Sequence, residues 1–503
     1  MNVNSPTDEH HIEHFDILIV GAGISGIDAA YHLGQHRPDA SYAILESKSG
    51  LGGTWATHTF PGIRSDSDLF TFGFSWKPWK GVAIATADEI LSYLEEAVDE
   101  NDIRGNIRFN HHIESAQWSS ETQRWVLTAT RGDGVSFQIS CGFLWSCAGY
   151  FKHDEGYMPE WPGMADFKGR IVHPQTWPDD LDYAGQRVAV IGSGATAATI
   201  IPAMADRAAH ITMVQRSPTF YYPKVMDDEF STILRALNLP DEWFHEIMRR
   251  KYLHDSQNTA NRAKSEPEVL AAELIEAART YLGEDYDIAT HFTPTYRPWR
   301  QRVAMIPDGD FYVAIREGKA EVVTAHIDQL TTNGLRLTDG REVEVDLIVA
   351  ATGLTLNVFG DIQLVVDGEV FDAADSVTHR GVMFTGLPNF ATVFGYLRSS
   401  WTLRADLVSQ YLCRVFDHMD AEGVGVVVPV LPDDEMERRP WVEPENFNAG
   451  YLTRSLGQLP RQGDRQPWLL TQDYFQDRDD LPAAALDDGT LAFRLRCAVA
   501  KPR

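Results

Sequence analysis

Phe15-Asp16-Ile17-Leu18-Ile19-Val20-Gly21-Ala22-Gly23-Ile24-Ser25-Gly26 decides the fold. The apolar run reads as a parallel strand buried on both faces. It runs straight into a G-x-G-x-x-G turn that opens a helix-like segment, with Ser25 inside the turn. Gly21 permits the tight turn, Gly23 lets backbone N–H groups approach a pyrophosphate, and Gly26 allows the helix to pack closely on the strand. A second apolar run, Tyr42 to Leu45, ends in Glu46, 20 residues beyond Gly26. A carboxylate there accepts both hydroxyls of an adenosine ribose and repels a 2′-phosphate. Strand, turn, helix, strand and acid in register predict a dinucleotide-binding unit.

The same pattern returns downstream. Arg187 to Ile191 feeds Gly192-Ser193-Gly194-Ala195-Thr196-Ala197, with Ala197 at the third glycine position. The next strand, from Ile211, ends in Arg216-Ser217, so an arginine stands where a free ribose calls for an acid. A guanidinium suits a 2′-phosphate bidentately, which points to NADPH at this second turn. Two such units predict an α/β protein with two Rossmann-like domains exchanging something between two dinucleotides.

Around the first turn, Gly52-Gly53-Thr54-Trp55, Phe60-Pro61-Gly62 and Asp66 read as a tight loop against a flat ligand. Thr86-x-x-Glu89 is a capping box ahead of a helix, and Gly132-Asp133-Gly134 between two strand-like runs is a hairpin signal. Between the turns lies Phe167-Lys168-Gly169-Arg170-Ile171-Val172-His173-Pro174-Gln175-Thr176-Trp177-Pro178, where the domains would join. From about Phe220 to His291 the pattern is that of amphipathic helices, one with Ser265-x-x-Glu268 as its cap. Strands return at the turn signals Asn333-Gly334 and Asp339-Gly340 and end in Ala351-Thr352-Gly353. A helix with Leu403, Leu407, Tyr411 and Leu412 in phase follows, with Ser399 or Ser400 as its expected N-cap. From Asp433 onward the tail is rich in proline and acid, and its residues suggest no chemistry.

At 503 residues the chain calls for two or three domains, and 44% hydrophobic with 23% charged residues is ordinary for a globular protein. The formal charge of −28 argues against non-specific nucleic-acid binding. The cysteines Cys141, Cys147, Cys413 and Cys497 show no CxxC or zinc-like spacing, which disfavours a disulfide reductase and a metal site and suggests a reducing compartment. No apolar run approaches a membrane span and the N-terminus lacks a signal-peptide profile, so a cytoplasmic location is expected. The oligomeric state stays open.

The stretch from Phe167 to Pro178 resembles the fingerprint of type I Baeyer–Villiger monooxygenases at every specified position: Phe167, Gly169, His173, Trp177 and Pro178. Gly52 to Asp66 is similar to the pattern that accompanies it. The shared Pro-Gly-Ile-Arg-Ser-Asp-Ser-Asp from Pro61 and Ser-Trp-Thr-Leu from Ser400 resemble the branch that includes the ethionamide-activating monooxygenase. The resemblance covers essentially the whole chain. It implies FAD on Gly21, Gly23, Ser25, Gly26, Glu46, Gly53, Thr54, Trp55 and Asp66. NADPH falls on Gly192, Gly194, Ala195, Thr196, Arg216 and Ser217. In such enzymes a C4a-peroxyflavin formed with O₂ attacks a ketone to give an ester or lactone, and thioethers are oxygenated as well. The rival readings are a sulfide- or amine-oxygenating flavin monooxygenase and an uncoupled NADPH oxidase.

The resemblance also places the essential arginine at Arg302, oriented by Asp66, with Arg297 and Arg300 near enough in the chain to compete. A permanently charged guanidinium suits the negative charge of peroxide and tetrahedral adduct. His173 and Trp177 are expected to couple domain movement rather than to touch substrate. The implied layout is a FAD domain in two parts (1–150 and 354–503) and an NADPH domain in two parts (151–219, with the fingerprint linker, and 297–353). A helical insertion (220–296) interrupts the second.

Overall fold

A computed structural model describes residues 12–226, 228–432 and 436–497. Its mixed α/β architecture is built on two sheets. In the first, the strand Glu13–Val20 lies between two parallel neighbours, Tyr42–Leu45 and Ser136–Ser146. Its last four residues are buried, as an apolar run without alternation requires. The sheet continues antiparallel through Arg124–Arg131 to His111–Ser119, and Gly132-Asp133-Gly134 makes the predicted hairpin. Phe390–Thr392 rejoins this sheet beside Ser136–Ser146, so the chain returns to it after visiting the second one.

The second sheet has five strands, all parallel, in the order Ala320–Thr324, His210–Gln215, Arg187–Ile191, Leu347–Ala350, Arg170–Val172. The edge strand Arg170–Val172 comes from within the fingerprint, so that stretch is part of the sheet as well as the approach to it. The helices Ala195–Met204 and Asp310–Arg316 pack against this sheet. The turns at Asn333-Gly334 and Asp339-Gly340 join the antiparallel strands Ile327–Thr331, Gly334–Leu337 and Glu342–Glu344.

Capping shows where local signals hold. Thr86 and Glu89 form the reciprocal capping box ahead of Ala87–Glu100. Ser265 does not cap: it is the last residue of Asp241–Ser265, and the next helix opens at Pro267. A proline, with no N–H and a fixed φ, is already suited to a first helical position. Ser399 and Ser400 do not cap Thr402–Ala421 either. Trp401 precedes that helix in helical conformation, and the Ser400 hydroxyl is spent on Thr71 Oγ1 at 2.6 Å. The tertiary partner outcompetes the local one. Thr402–Ala421 packs along Ile24–His36, where Asp28 accepts from Ser409 and His32 Nε2 meets Asp406 Oδ1 at 2.8 Å.

Asp433 to Glu435 and residues 498–503 lie outside the described residues, and the described part of the tail contributes to the core. Trp441, Phe447 and Leu452 are buried with Phe394. The fully buried Arg404 pairs with Asp477, which also accepts from Tyr396 at 2.7 Å. Among the described residues no helix is long and apolar enough to cross a membrane.

Candidate active site

The two glycine turns open into one cleft of about 1140 Å³. Every residue assigned above to FAD, to NADPH or as the essential arginine lines it, except Gly26, which is buried beneath; the competing Arg297 and Arg300 do not.

On the first side, a Cβ added to Gly26 would sit 1.9 Å from the Gly21 carbonyl oxygen, so helix and turn close up only around a hydrogen. Gly23 and Gly53 face each other: a Cβ on either would meet the other's Cα, at 3.6 and 3.1 Å. The two backbones pack directly against each other with no side chain between them, so a phosphate-bearing group at the cleft surface meets backbone rather than side chain there. The buried Glu46 accepts the Ala22 N–H at 2.8 Å through Oε2 and the Lys48 N–H at 2.9 Å through Oε1. These bonds, with the Ser47 hydroxyl also donating to Oε1 at 3.4 Å, fix the carboxylate and leave Oε2 a lone pair for a ribose hydroxyl. The Trp401 indole donates to Ser25 Oγ at 2.7 Å, and Tyr150 stacks on Trp401 with centroids 5.0 Å apart. Thr54 and Trp55 follow Gly53 in the short helix Thr54–Thr57. The cleft-lining His153 has its pKa pushed down to about 4, by burial first and by Lys48 second, so its ring is neutral at pH 7.

On the second side, Gly192 holds φ +126°, and a Cβ there would lie 2.2 Å from the Ala351 oxygen. A Cβ on Gly194 meets nothing within 4 Å, and Ala197 is buried without conflict. Arg216 and Ser217 are exposed along the cleft, and no carboxylate among the described residues pairs with Arg216. Across from it Arg454 lies over Tyr157 at 3.6 Å; burial first and the Arg216 charge last depress its pKa. A site with two cations and no acid fits a phosphate.

Between the turns Arg302 grips Asp66 in a two-pronged pair, Nε to Oδ2 at 2.5 Å and Nη2 to Oδ1 at 2.6 Å. Of the three nearby arginines, only Arg302 does so; Arg297 and Arg300 do not. Its side chain keeps 37% of its surface open. Burial pulls its pKa down, but the Asp66 charge and hydrogen bonds outweigh this, and the net shift is upward. The guanidinium therefore stays charged throughout the physiological range. Its loop carries backbone strain: Trp299 holds φ +65°, which costs a bulky residue about 1–2 kcal/mol. Tyr150 and Tyr451 stand beside this pair, both with pKa raised, by burial first and against the Arg302 charge. They stay protonated.

None of Phe167, Gly169, His173 and Trp177 lines the cleft. His173 Nδ1 accepts the Gln175 N–H at 3.1 Å, so Nε2 carries the proton and donates to the Gly353 oxygen at 3.0 Å. Burial lowers its pKa. With both nitrogens committed, the ring ties the fingerprint to Gly353, which does line the cleft. A Cβ on Gly156 would lie 1.8 Å from this ring, and one on Gly169 would lie 2.2 Å from the Asp346 oxygen and 2.6 Å from Phe167. Trp177 meets Tyr183 edge to face, with centroids 6.5 Å apart.

Residue patterns missed Tyr150, His153, Tyr451 and Arg454. Tyr150 follows Gly149 just past a parallel strand's end, a place where ligands collect. Tyr451 and Arg454 sit in a tail with no local signal.

Residues 19–80 match the NAD(P)-binding Rossmann-like domain, and residues 83–252 match the flavin-binding monooxygenase-like family. The FAD-containing monooxygenase EthA of Mycolicibacterium smegmatis is 44% identical, over 96% of this chain and 97% of the relative. Among solved structures, an oxidized steroid monooxygenase bound to NADP superposes with a TM-score of 0.76 at 24% identity, over 96% of this chain and 100% of that one. A cyclohexanone monooxygenase bound to ε-caprolactone does so with a TM-score of 0.72 at 20% identity, over 96% and 100%. At those identities the structural likeness establishes the fold, and the sequence likeness establishes the kinship: the chain belongs to the family of FAD-containing, flavin-binding monooxygenases.

Proposed function

We propose that this protein is an NADPH- and O₂-dependent Baeyer–Villiger monooxygenase that converts a ketone to an ester or lactone. The observation that carries the reading is the Arg302–Asp66 pair standing in the one cleft that both glycine turns share. FAD fits the first side, where the Gly23–Gly53 backbone contact, Ser25 and the fixed Glu46 carboxylate meet, with Gly21 and Gly26 shaping the turn and Thr54, Trp55 and Asp66 flanking it. NADPH fits the second, with Gly192, Gly194, Ala195 and Thr196 toward the pyrophosphate and Arg216 with Ser217 toward the 2′-phosphate. The solved relative that carries NADP and the relative named for FAD support the two cofactors themselves. The strands Gln363–Val366 and Phe390–Thr392, both in the first sheet, support taking 1–150 and 354–503 as one FAD domain around an NADPH domain with its helical insertion.

When bound, the flavin, reduced by NADPH, supplies activated oxygen. The chain's own part is electrostatic. Arg302, held by Asp66, presents a cation that cannot give up its proton, so negative charge developing in the cleft is stabilised rather than protonated. Neutral Tyr150 and Tyr451 close the same corner. His173 stays out of the cleft and fixes Gly353, which suits a positioning part for the fingerprint.

The test is Arg302→Ala in the flavin-loaded enzyme with NADPH, O₂ and a cyclic or aryl ketone, with a thioether alongside. Ester formation should fall by about 10²–10³-fold, while flavin content is kept and NADPH consumption continues as hydrogen peroxide release. Persistent ester formation would remove Arg302 from the chemistry.

A further inference from the structure

We propose that Arg64 and Asp310 form a brace that sets how the Arg302–Asp66 pair is aligned, which makes Arg64 a positioning residue for the oxygenation. The inference rests on the monooxygenase reading and adds to it a pair that does not line the cleft.

Two ion pairs tie the same two stretches of chain together. Arg64 Nη1 donates to Asp310 Oδ2 at 2.6 Å, and two residues further on Asp66 takes both prongs of Arg302 at 2.5 and 2.6 Å. The pairs run in opposite senses: one stretch supplies Arg64 and then Asp66, the other Arg302 and then Asp310. Sliding the stretches so that Arg64 nears Arg302, or Asp66 nears Asp310, sets like charges together.

Each stretch is backed by fixed structure. Gly62 holds φ +76°, and a Cβ there would lie 2.5 Å from Ala203 Cβ in the helix Ala195–Met204. The Ser65 N–H donates to the Ala85 oxygen at 2.9 Å, and the Ala87 N–H to the Ile63 oxygen at 3.1 Å. On the other stretch the strand Ala304–Pro307 stands between Arg302 and Asp310 and lies parallel to Tyr221–Lys224. It leads to Asp308 and Gly309, both at positive φ, where a Cβ on Gly309 would lie 2.2 Å from the Tyr281 ring. Asp310 Oδ1 accepts the Phe311 N–H at 2.8 Å, which leaves Oδ2 for Arg64. Arg64 Nη2 is buried with no hydrogen-bond partner, so the pair with Asp310 is what holds the fork.

The cleft pair calls for such support. Its side chains are 37% and 28% open, and an ion pair that open to water holds little by itself. A charge that acts on reacting atoms loses its effect when displaced by about 1 Å. The Arg64–Asp310 pair is the more enclosed, at 18% and 27%, and it ties the Asp66 loop to the helix Asp310–Arg316 on the second sheet.

Flavin-loaded protein turning over cyclohexanone with NADPH and O₂ tests the brace through the lactone formed per NADPH consumed. Arg64→Ala and Asp310→Ala should each lower that ratio about tenfold, with hydrogen peroxide making up the difference. The KM for NADPH and the flavin content should not change. The double alanine variant should lose no more than either single one, because the two residues act as a unit. Reversing the pair, Arg64→Asp with Asp310→Arg, should recover part of the ratio, which a mere loss of packing would not allow. Should Arg64→Ala fail to fold, Asp310→Asn keeps the shape, removes the charge and carries the same comparison. Single losses that multiply in the double variant overturn the proposal. No lactone from the parent protein would sink the oxygenase reading and the brace with it. Lactone from the parent, at a ratio unmoved in the variants, would sink the brace alone.

Discussion

The two glycine turns share a pattern and differ in what each tolerates. At the first, helix Ile24–His36 comes so close to the turn that a Cβ on Gly26 would lie 1.9 Å from a carbonyl oxygen. At the second, the equivalent position is Ala197, buried with no such conflict, and even Gly194 has open space where a Cβ would go. The strand ends diverge as well. Glu46 is buried and held by two backbone N–H groups, whereas Arg216 is exposed and has no acid partner among the described residues. The first turn is a tight seat that admits no added atom. The second is a looser, positively charged ledge.

The largest expected break in this contrast is Gly26→Ala. A methyl against backbone that cannot move should cost about 3 kcal/mol or more, read as a lower Tm and protein purified without flavin. Normal flavin content in that variant would mean the first turn is as relaxed as the second. Arg216→Ala should raise the KM for NADPH by about tenfold to a hundredfold through loss of charged hydrogen bonds. The KM for NADH should stay where it is, and equal changes for both would refute a 2′-phosphate contact. Glu46→Gln turns an acceptor of two N–H groups into one that meets one of them with an NH₂. It should cost about 1–2 kcal/mol of stability, visible in denaturant unfolding, together with flavin lost on dilution. Ala197→Gly sharpens the comparison from the other side. It should cost only the backbone entropy of a glycine in a helix, about 0.5–1 kcal/mol, with NADPH binding retained.

How far the sequence could be read follows from the range of each interaction. The capping box at Thr86 and Glu89 and the hairpin at Gly132-Asp133-Gly134 are local, and they form as the residues suggest. Ser265 and Ser400 carry equally good local signals and are overruled, one by a proline two residues on and the other by Thr71 from a distant segment. Tyr451 had no signal at all, because its place beside Arg302 depends on how the tail is anchored.

By itself the sequence determined the two strand–turn–helix units, the acid at the end of one and the arginine at the end of the other, since each is written within some thirty residues in patterns that backbone geometry enforces. Only the tertiary structure decided which of Arg297, Arg300 and Arg302 takes Asp66, that His173 is locked away from the cleft, and that the tail supplies a wall. The reason is distance along the chain: Asp66 and Arg302 are separated by 236 residues, and what brings them within 2.5 Å is the packing of two sheets around one cleft.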